Sequence, residues 1–282
     1  MSVEKPQLEA FWKSEKGKKD KPEESQEVQE RKAELEQKAV TLAQEAERAF
    51  SSNDLTQTLE KLRELQRTVG MELVENREQF EKFEQEFNRQ IENLSKKGFP
   101  KLAGVNEKKF ATIFEPLKEQ LKELSGKEFK EGRIPFVVVP REKLLALEKE
   151  IPLMEVDGKK GFTTLNLSEL KTAEGVEIPE SMAYLVVDVE NGKAMLGRIP
   201  DEAVKQFKKE RRSPLTAEEG VAIILQHPEI LKDHYMDLPG SRGGVRVAGL
   251  WLVEGGPRLF WVWADDSSAK WGSASCGSRV GP

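Results

Sequence analysis

Cysteine and histidine are scarce in this sequence, and their scarcity removes several classes of site. The chain has 282 residues but only one cysteine, Cys276, and two histidines, His227 and His234. A single cysteine excludes an intramolecular disulfide framework and a cysteine-rich zinc site. Because these three residues form no recognisable metal-ligand spacing, we expect the protein to hold neither a metal nor a cofactor.

Long apolar runs and familiar catalytic motifs are also missing. No run approaches the roughly 18 apolar residues of a membrane-spanning helix, and the first residues lack the apolar core of a signal peptide. Phosphate-loop, dinucleotide-binding, HExxH and GxSxG motifs do not occur. A net charge of −5 argues against a protein that coats nucleic acid, since such proteins are usually basic. We expect a cytoplasmic protein with no membrane or nucleic-acid partner.

The composition that remains is unusually polar for one compact globule. Hydrophobic residues make up 37% of the chain and charged residues 34%, which indicates an extended, solvated part beside an ordinary core. Residues 1–22 are rich in Lys, Glu and Pro and contain few apolar side chains. Such a segment buries too little apolar surface to offset the entropy of ordering, so it is predicted to be a disordered tail.

Residues 23–96 have the pattern of a helical hairpin or coiled-coil arm. The second helix carries a heptad seam of mostly apolar residues, with spacings of three and four: Leu55, Leu59, Leu62, Gln66, Val69, Leu73, Asn76, Phe80, Phe83, Phe87, Gln90 and Leu94. The first helix is expected to cover the leucine-rich half of this seam. The phenylalanine-rich half is then buried either by the following domain or by another copy of the chain, which would make the arm a self-association surface.

Residues 97–282 mix strands and helices without a regular β-α-β rhythm, which predicts an α+β domain with a mainly antiparallel sheet. Asn191-Gly192 lies between two apolar runs and predicts a β-hairpin. Thr216 and Glu219 have the spacing of a capping box at the start of a helix. Two strands rich in tryptophan are expected at 249–254 and 258–264.

Five segments from Phe87 onward resemble a known bacterial family. They read FNRQIENLSKKGFPKLAG, RIPFVVVP, PLTAEEGVAIILQHPEIL, GLWLVEGGPRLFWVWA and WGSASCGSRVG, and they extend over about residues 87–282. The sequence resembles a domain of unknown function found notably in actinobacteria. The resemblance implies a domain boundary but no activity. The resemblance implies a cysteine at the position that Gly243 occupies in this chain. A mechanism that needs two thiols therefore has no support here.

The tripeptide Gly-Ser-Arg occurs twice, at 240–242 and 277–279, and suggests an anion site. Glycines let backbone N–H groups converge on one point, and a serine hydroxyl with an arginine fork suits a phosphate or carboxylate. The candidate ligand-binding residues are Ser241, Arg242, Ser278 and Arg279, with Trp263 and Trp271 as stacking walls. The alternative is that both segments are turns whose arginines form salt bridges or stack on tryptophan.

Cys276 is the other candidate for chemistry. As a nucleophile it would need a base or a cationic setting, which His227, His234 or an arginine could supply. The alternative is a small side chain packed in a turn. The sequence therefore favours a non-catalytic binding or scaffold protein with an anionic ligand and a self-associating arm. A small-molecule hydrolase or transferase that uses Cys276 is the alternative, and the question of enzymatic activity stays open.

Overall fold

The structure is a computed structural model, and it describes residues 26–52 and 54–282. The tail predicted for residues 1–22 lies outside these described residues. The described chain divides into a helical unit, residues 26–86 and 118–128, and a larger unit, residues 87–117 and 129–282. Helices and mostly antiparallel sheets together confirm the predicted α+β class with a helical N-terminal region.

The helical unit contains two long antiparallel helices, α1 (Gln26–Ser51) and the first part of α2 (Leu55–Lys96). The turn between them is closed by a bond from the Asp54 N–H to the Ala49 carbonyl, 2.9 Å. Asp54 also caps α2, because its Oδ1 accepts the Gln57 N–H at 2.9 Å. The predicted helical hairpin is therefore present.

Leu55, Leu59 and Leu62 of α2 lie outside the contact between α1 and α2. The expectation that the first helix covers them is therefore wrong. In α2 the face turned toward α1 carries Thr58, which is buried, and Lys61, whose Nζ lies 2.9 Å from Glu45 of α1. The seam leucines are offset from that face, and their exposed fractions are 60% for Leu55, 54% for Leu59 and 47% for Leu62. Leu55, Leu59 and Leu62 thus form an apolar stripe without cover among the described residues.

The larger unit contains short helices and thirteen short strands. The helices that follow α2 lie in the larger unit, except α5, which belongs to the helical unit. They are α3 (Phe99–Leu102), α4 (Glu107–Phe114), α5 (Lys118–Leu124), α6 (Leu147–Glu150), α7 (Pro200–Lys209), α8 (Ala217–Gln226) and α9 (Ile230–Asp233). Its strands are β1 (Ile134–Pro140), β2 (Glu155–Val156), β3 (Lys159–Lys160), β4 (Phe162–Thr163), β5 (Lys171–Thr172), β6 (Ala183–Val189), β7 (Ser213–Pro214), β8 (Tyr235–Gly243), β9 (Arg246–Val253), β10 (Gly256–Trp263), β11 (Trp271–Ser273), β12 (Ser275–Cys276) and β13 (Ser278–Val280).

β7 and β12 form a separate two-stranded sheet, as do β2 and β3, and the other nine strands form two larger sheets. The first is antiparallel, in the order β1-β6-β13, and the second has the order β11-β8-β9-β10-β4, with β5 added to β8. In the second sheet β8, β9 and β10 are antiparallel, while β11 and β4 pair in parallel with their neighbours. The two tryptophan-containing strands predicted from sequence are β9 and β10.

Helix α8 packs against both sheets and is almost entirely buried. Gly220 permits the close approach to the second sheet, because a Cβ there would run into the Leu238 side chain. The predicted capping box is confirmed: Thr216 Oγ1 accepts the Glu219 N–H at 3.3 Å, and Glu219 Oε2 accepts the Thr216 N–H at 2.7 Å.

Gln90, a polar residue of the predicted seam, hydrogen-bonds to the buried edge strand of the first sheet, β1. Its side chain donates to the Phe136 carbonyl at 3.2 Å and accepts the Val138 N–H at 2.8 Å, as a neighbouring strand would. The phenylalanine half of the seam is buried within this chain at Phe87, and Leu94 is buried in the same unit. Of the two alternatives for that half, burial by the following domain holds at these residues.

The hairpin predicted at Asn191-Gly192 is wrong. Strand β6 ends at Val189, and a short 3₁₀ turn, Lys193–Met195, follows the dipeptide. β6 pairs instead with β1 and β13, both distant in sequence. Gly192 has a φ of 100° and lies against the backbone of Gly272, so the glycine serves a close backbone approach as well as a turn.

Candidate functional site

The C-terminal Gly-Ser-Arg segment ends in a buried ion pair. Strand β13 places Arg279 over the first turn of α8, where Arg279 Nε donates to Glu219 Oε1 at 2.5 Å and Nη2 donates to Oε2 at 2.9 Å. Arg279 also donates to Ser213 Oγ at 2.6 Å and to the Pro214 carbonyl at 2.9 Å. The side chains are 5% and 0% exposed. This bidentate pair fastens β13 and β7 to the start of α8.

Further contacts complete the coordination of the Glu219 carboxylate. Tyr184 Oη donates to Glu219 Oε1 at 2.8 Å, and the Thr216 N–H donates to Oε2. Burial and then the charge of Glu219 raise the pKa of Tyr184 well above its usual value. Burial favours a lower pKa for Arg279, but the charge and hydrogen bonds of Glu219 outweigh it and raise that pKa. Both oxygens of the Glu219 carboxylate thus have partners within the chain. We call the group formed by Glu219, Arg279, Tyr184, Ser213 and Thr216 the lock.

The two Gly-Ser-Arg segments approach the same end of α8 but do not point both arginines at one place. Ser241 is buried and its Oγ accepts the Ala217 N–H at 2.9 Å, so it adds to the cap of α8. Arg242 instead pairs through Nη2 with Asp201 Oδ1 in the first turn of α7. Ser278 is exposed beside the lock. The arrangement brings Ser241 and Arg279 to the N-terminus of α8 and sends Arg242 elsewhere.

Cys276 is the β12 partner of Ser213 on β7, and its surroundings do not favour a nucleophile. It is 0% exposed, and burial and then the charge of Glu219 raise its pKa to about 12. A thiol with such a pKa is protonated at neutral pH, whereas the thiolate is the reactive form. The other charges that act on it are those of Arg279, Arg212 and Asp188, so no histidine is among its electrostatic neighbours.

Both histidines lie at the C-terminal ends of helices. His227 is the C-cap of α8, and its Nδ1 lies 3.4 Å from Glu229 Oε1. His234 is buried, with Nε2 3.0 Å from the Asn191 carbonyl and Nδ1 3.3 Å from Asp233 Oδ2. These contacts hold the ends of α8 and α9, and neither histidine is arranged as a base for Cys276.

The tryptophans proposed as stacking walls separate in the fold. Trp263 is 55% exposed at the end of β10. Trp271 joins a half-buried cluster on one face of the second sheet, where its ring centroid is 5.1 Å from Tyr235, 5.5 Å from Phe260 and 6.0 Å from Trp251. Trp251 and Phe260 are stacked at 5.1 Å.

Alternate residues of four strands supply this face, which we call the aromatic face. Its rings are Tyr235, Trp251, Phe260 and Trp271, and its polar members are Asp237, Arg258 and Ser273. The opposite face carries Leu238 and Leu250, which meet α8 at Gly220. Gly249 makes room on the aromatic face, since a Cβ there would lie 3.1 Å from the Trp271 ring.

Four buried polar atoms of the aromatic face have no hydrogen-bond partner among the described residues: Asp237 Oδ1, Trp251 Nε1, Arg258 Nε and Ser273 Oγ. Such atoms are uncommon in folded proteins and each requires an explanation. Asp237 and Ser273 are partners in the β8–β11 register, and Trp251 and Arg258 are partners in the β9–β10 register. Burial raises the pKa of Asp237 to about 7.

Arg258 is the cationic member of the face. Its guanidinium lies 5.6 Å from the Phe162 ring centroid and 5.8 Å from that of Phe260, and Nη2 donates to Thr164 Oγ1 at 2.7 Å. It forms no ion pair with a carboxylate of the described chain. The aromatic face thus combines half-buried rings, one positive charge without a carboxylate partner in the described chain, and several polar atoms without a hydrogen-bond partner there.

The sequence interpretation missed Tyr235, Asp237, Arg258 and Ser273. Period-two alternation within each strand places Trp251 with Gly249 and Arg258 with Phe260 on one face, and that part of the pattern is visible in the sequence. The pairing of β8 with β11 joins strands that are distant in sequence, so it appears only in the folded chain. Together with the pairing of β8 and β9, it places Asp237 and Ser273 on the aromatic face.

Two negative findings hold for the described part of the chain. No group of three or more His, Cys, Asp or Glu side chains there is arranged to hold a metal ion. No helix among the same residues is long and apolar enough to cross a membrane.

Comparison with known proteins gives one family. A family model described as "Family of unknown function (DUF5701)" matches residues 93–282. No curated protein and no solved structure matches the chain. The match confirms the resemblance stated from sequence, and it covers β1 to β13 while leaving α1 and most of α2 outside.

Proposed function

We propose that this chain, which belongs to the family of unknown function DUF5701, is a non-catalytic scaffold that self-associates through its helical arm. The observation that supports this proposal is the exposed leucine stripe of α2, formed by Leu55, Leu59 and Leu62. The stripe lies outside the residues matched by the family model. Self-association is therefore proposed as a property that the arm adds to the family domain.

The leucine stripe suits a second copy of the same helix. Its residues occupy heptad positions, and such positions pack as knobs into the holes of a partner helix. The charged side chains next to the stripe are Glu60, Lys61, Arg63 and Glu64, with two charges of each sign, and Lys61 already pairs with Glu45 of α1 and with Glu64. A set with no net charge does not repel a second copy of the helix, whereas a strongly basic or acidic partner would find no complementary charge.

Removing the stripe is expected to separate the copies. We expect light scattering of the full chain to give the mass of two chains, and the triple variant Leu55→Gln, Leu59→Gln, Leu62→Gln to give the mass of one. Each leucine contributes about 1.5 to 3 kcal/mol when buried, so the triple change should weaken association at least about 100-fold. Glutamine is nearly as good a helix former as leucine, so the arm should keep its helix.

A matched control separates the stripe from the helix as such. The variant Thr56→Ala, Glu60→Gln, Arg63→Gln has the same spacing on an exposed neighbouring face of α2. It should keep the wild-type mass and far-ultraviolet circular dichroism. Equal masses for the wild-type chain and the leucine variant would contradict the proposal.

The rival function, an enzyme that uses Cys276, makes the opposite prediction for the thiol. Because Cys276 is buried with a pKa near 12, we expect a thiol reagent at pH 7 to leave the native chain unlabelled and to label it on unfolding. Ser278→Cys, two residues away and exposed, is the positive control and should react at once. Rapid labelling of Cys276 in the native chain would favour the enzyme.

Anion binding at Arg242 and Arg279 remains a prediction from sequence. The internal partners of Arg279 leave its guanidinium little capacity for a ligand, and Arg242 has one surface carboxylate partner, Asp201. The scaffold proposal therefore does not depend on either arginine. A ligand role is better supported on the aromatic face.

A further inference from the structure

The aromatic face lies on the part of the second sheet turned away from α8. Its four rings contact one another at centroid distances of 5.1 to 6.0 Å and remain half-buried, so part of each ring meets solvent. A contiguous group of partly exposed rings with polar atoms among them is a common form of ligand site. The group is built from four strands and does not depend on a flexible loop.

Two N–H groups at the β9–β10 edge of this face lack an acceptor. Trp251 and Arg258 are cross-strand partners, so their side chains stand beside each other on the same face. Trp251 Nε1 and Arg258 Nε are both buried without a hydrogen-bond partner in the described chain. An indole N–H and a guanidinium N–H can only donate, so the missing group must be an acceptor.

The charge of the face indicates which acceptor fits. Arg258 has no carboxylate partner in the described chain, and its nearest contacts are the rings of Phe162 and Phe260 and the hydroxyl of Thr164. A carboxylate offers two coplanar oxygens to two adjacent donors and supplies the missing negative charge. A flat ring attached to that carboxylate would stack among the side chains of the face.

We propose that the aromatic face binds an aromatic carboxylic acid, with the carboxylate on Trp251 Nε1 and Arg258 and the ring among Tyr235, Phe260 and Trp271. Both donors are buried within the side-chain layer, so the neighbouring rings must move aside for the carboxylate to reach them. Asp237 and Ser273 are the next pair on this face after Tyr235 and Trp271, along β8 and β11. Each has a buried polar atom without a partner among the described residues. This site is independent of the proposed self-association.

Calorimetric titration of the full chain tests the site with defined probes. Benzoate, 4-hydroxybenzoate and indole-3-carboxylate carry both a ring and a carboxylate, benzamide carries the ring alone, and acetate and inorganic phosphate carry the anion alone. We expect at least one ring carboxylate to bind with a Kd below about 1 mM and the other three probes to bind at least tenfold more weakly.

Three variants locate the binding. Trp251→Phe keeps a ring but removes the N–H, and Arg258→Gln removes the charge; each should weaken the best ring carboxylate at least tenfold while thermal unfolding confirms that the variant is folded. Arg246→Gln, on the neighbouring strand where Arg246 lies 5.0 Å from the Trp261 ring, is the matched control and should bind as the wild type does. The proposal is overturned if no ring carboxylate binds, if benzamide or phosphate binds equally well, or if Trp251→Phe and Arg258→Gln bind like Arg246→Gln.

Discussion

Replacing Arg279 with methionine is expected to destabilise the chain by about 3 to 5 kcal/mol, since removing one partner of a buried ion pair leaves the other charge uncompensated. Glu219 is 0% exposed, and two of its hydrogen bonds come from Arg279. The variant also removes the bonds to Ser213 and Pro214 that hold β7 to β13. The loss is a large fraction of the 5 to 15 kcal/mol typical of a domain.

A double variant separates the ion pair from the packing. Arg279→Met with Glu219→Gln removes both charges, and glutamine keeps one acceptor oxygen, for either Tyr184 or the Thr216 N–H, so part of the lost stability should return. Arg242→Met is the surface control, because its partner Asp201 is half-exposed, and it should cost less than about 1 kcal/mol. Denaturant unfolding at pH 7 measures all three. Equal losses for Arg279→Met and Arg242→Met would show that the lock contributes little.

Asp237→Asn is expected to stabilise the chain at alkaline pH and to have little effect at acid pH. Burial raises the pKa of Asp237 from 3.8 to about 7, so the folded chain favours the protonated carboxyl. Below about pH 4 the carboxyl is protonated in both states, and its contribution to stability is complete. As the pH rises from about 4 to about 7 that contribution is lost, and above pH 7 the buried charge has a constant cost.

The size of the effect follows from the same pKa. A rise from 3.8 to about 7 corresponds to about 4 kcal/mol, and the buried amide of asparagine has its own desolvation cost, so we expect a gain of about 2 to 4 kcal/mol at pH 8.5. Unfolding measured at pH 4 and pH 8.5 gives the difference. Asp266→Asn, at an exposed position, should change stability by less than about 0.5 kcal/mol at either pH. A pH-independent effect of Asp237→Asn would mean that the carboxyl is hydrated or paired in solution.

Features that depend on neighbouring residues were predictable from the sequence. The capping box of Thr216 and Glu219 needs only a spacing of three residues, and the structure confirms it. The paired helices of the arm and the strands that became β9 and β10 follow from apolar periodicity in the same way. The α+β class rests on the mixture of these local patterns.

Features that depend on distant residues were not predictable. Asn191-Gly192 has the local chemistry of a hairpin, but β6 finds its partners in β1 and β13, and Gly192 packs on Gly272. The seam of α2 gave the correct helix but the wrong neighbour, because α1 packs on the side of Thr58 and Lys61. Periodicity identifies an apolar face and does not name what covers it.

The candidate site shows the same division. Sequence reasoning selected arginines beside glycine and serine, yet Arg279 is occupied by Glu219, a partner 60 residues away. Arg258 belongs to no sequence motif, and the case for it rests on two partners missing from the described residues: a counter-ion for its guanidinium and an acceptor for Trp251 Nε1. Absence of a partner is a property of the packed molecule, so no local pattern could have indicated it.

Sedimentation equilibrium of the full chain measures the proposed self-association of the arm most directly. We expect a concentration-dependent equilibrium between one and two chains for the wild type. We expect a single-chain mass at every concentration for the variant in which Leu55, Leu59 and Leu62 are all replaced by glutamine. A wild-type chain that sediments as a monomer over the whole concentration range would show that the arm does not self-associate.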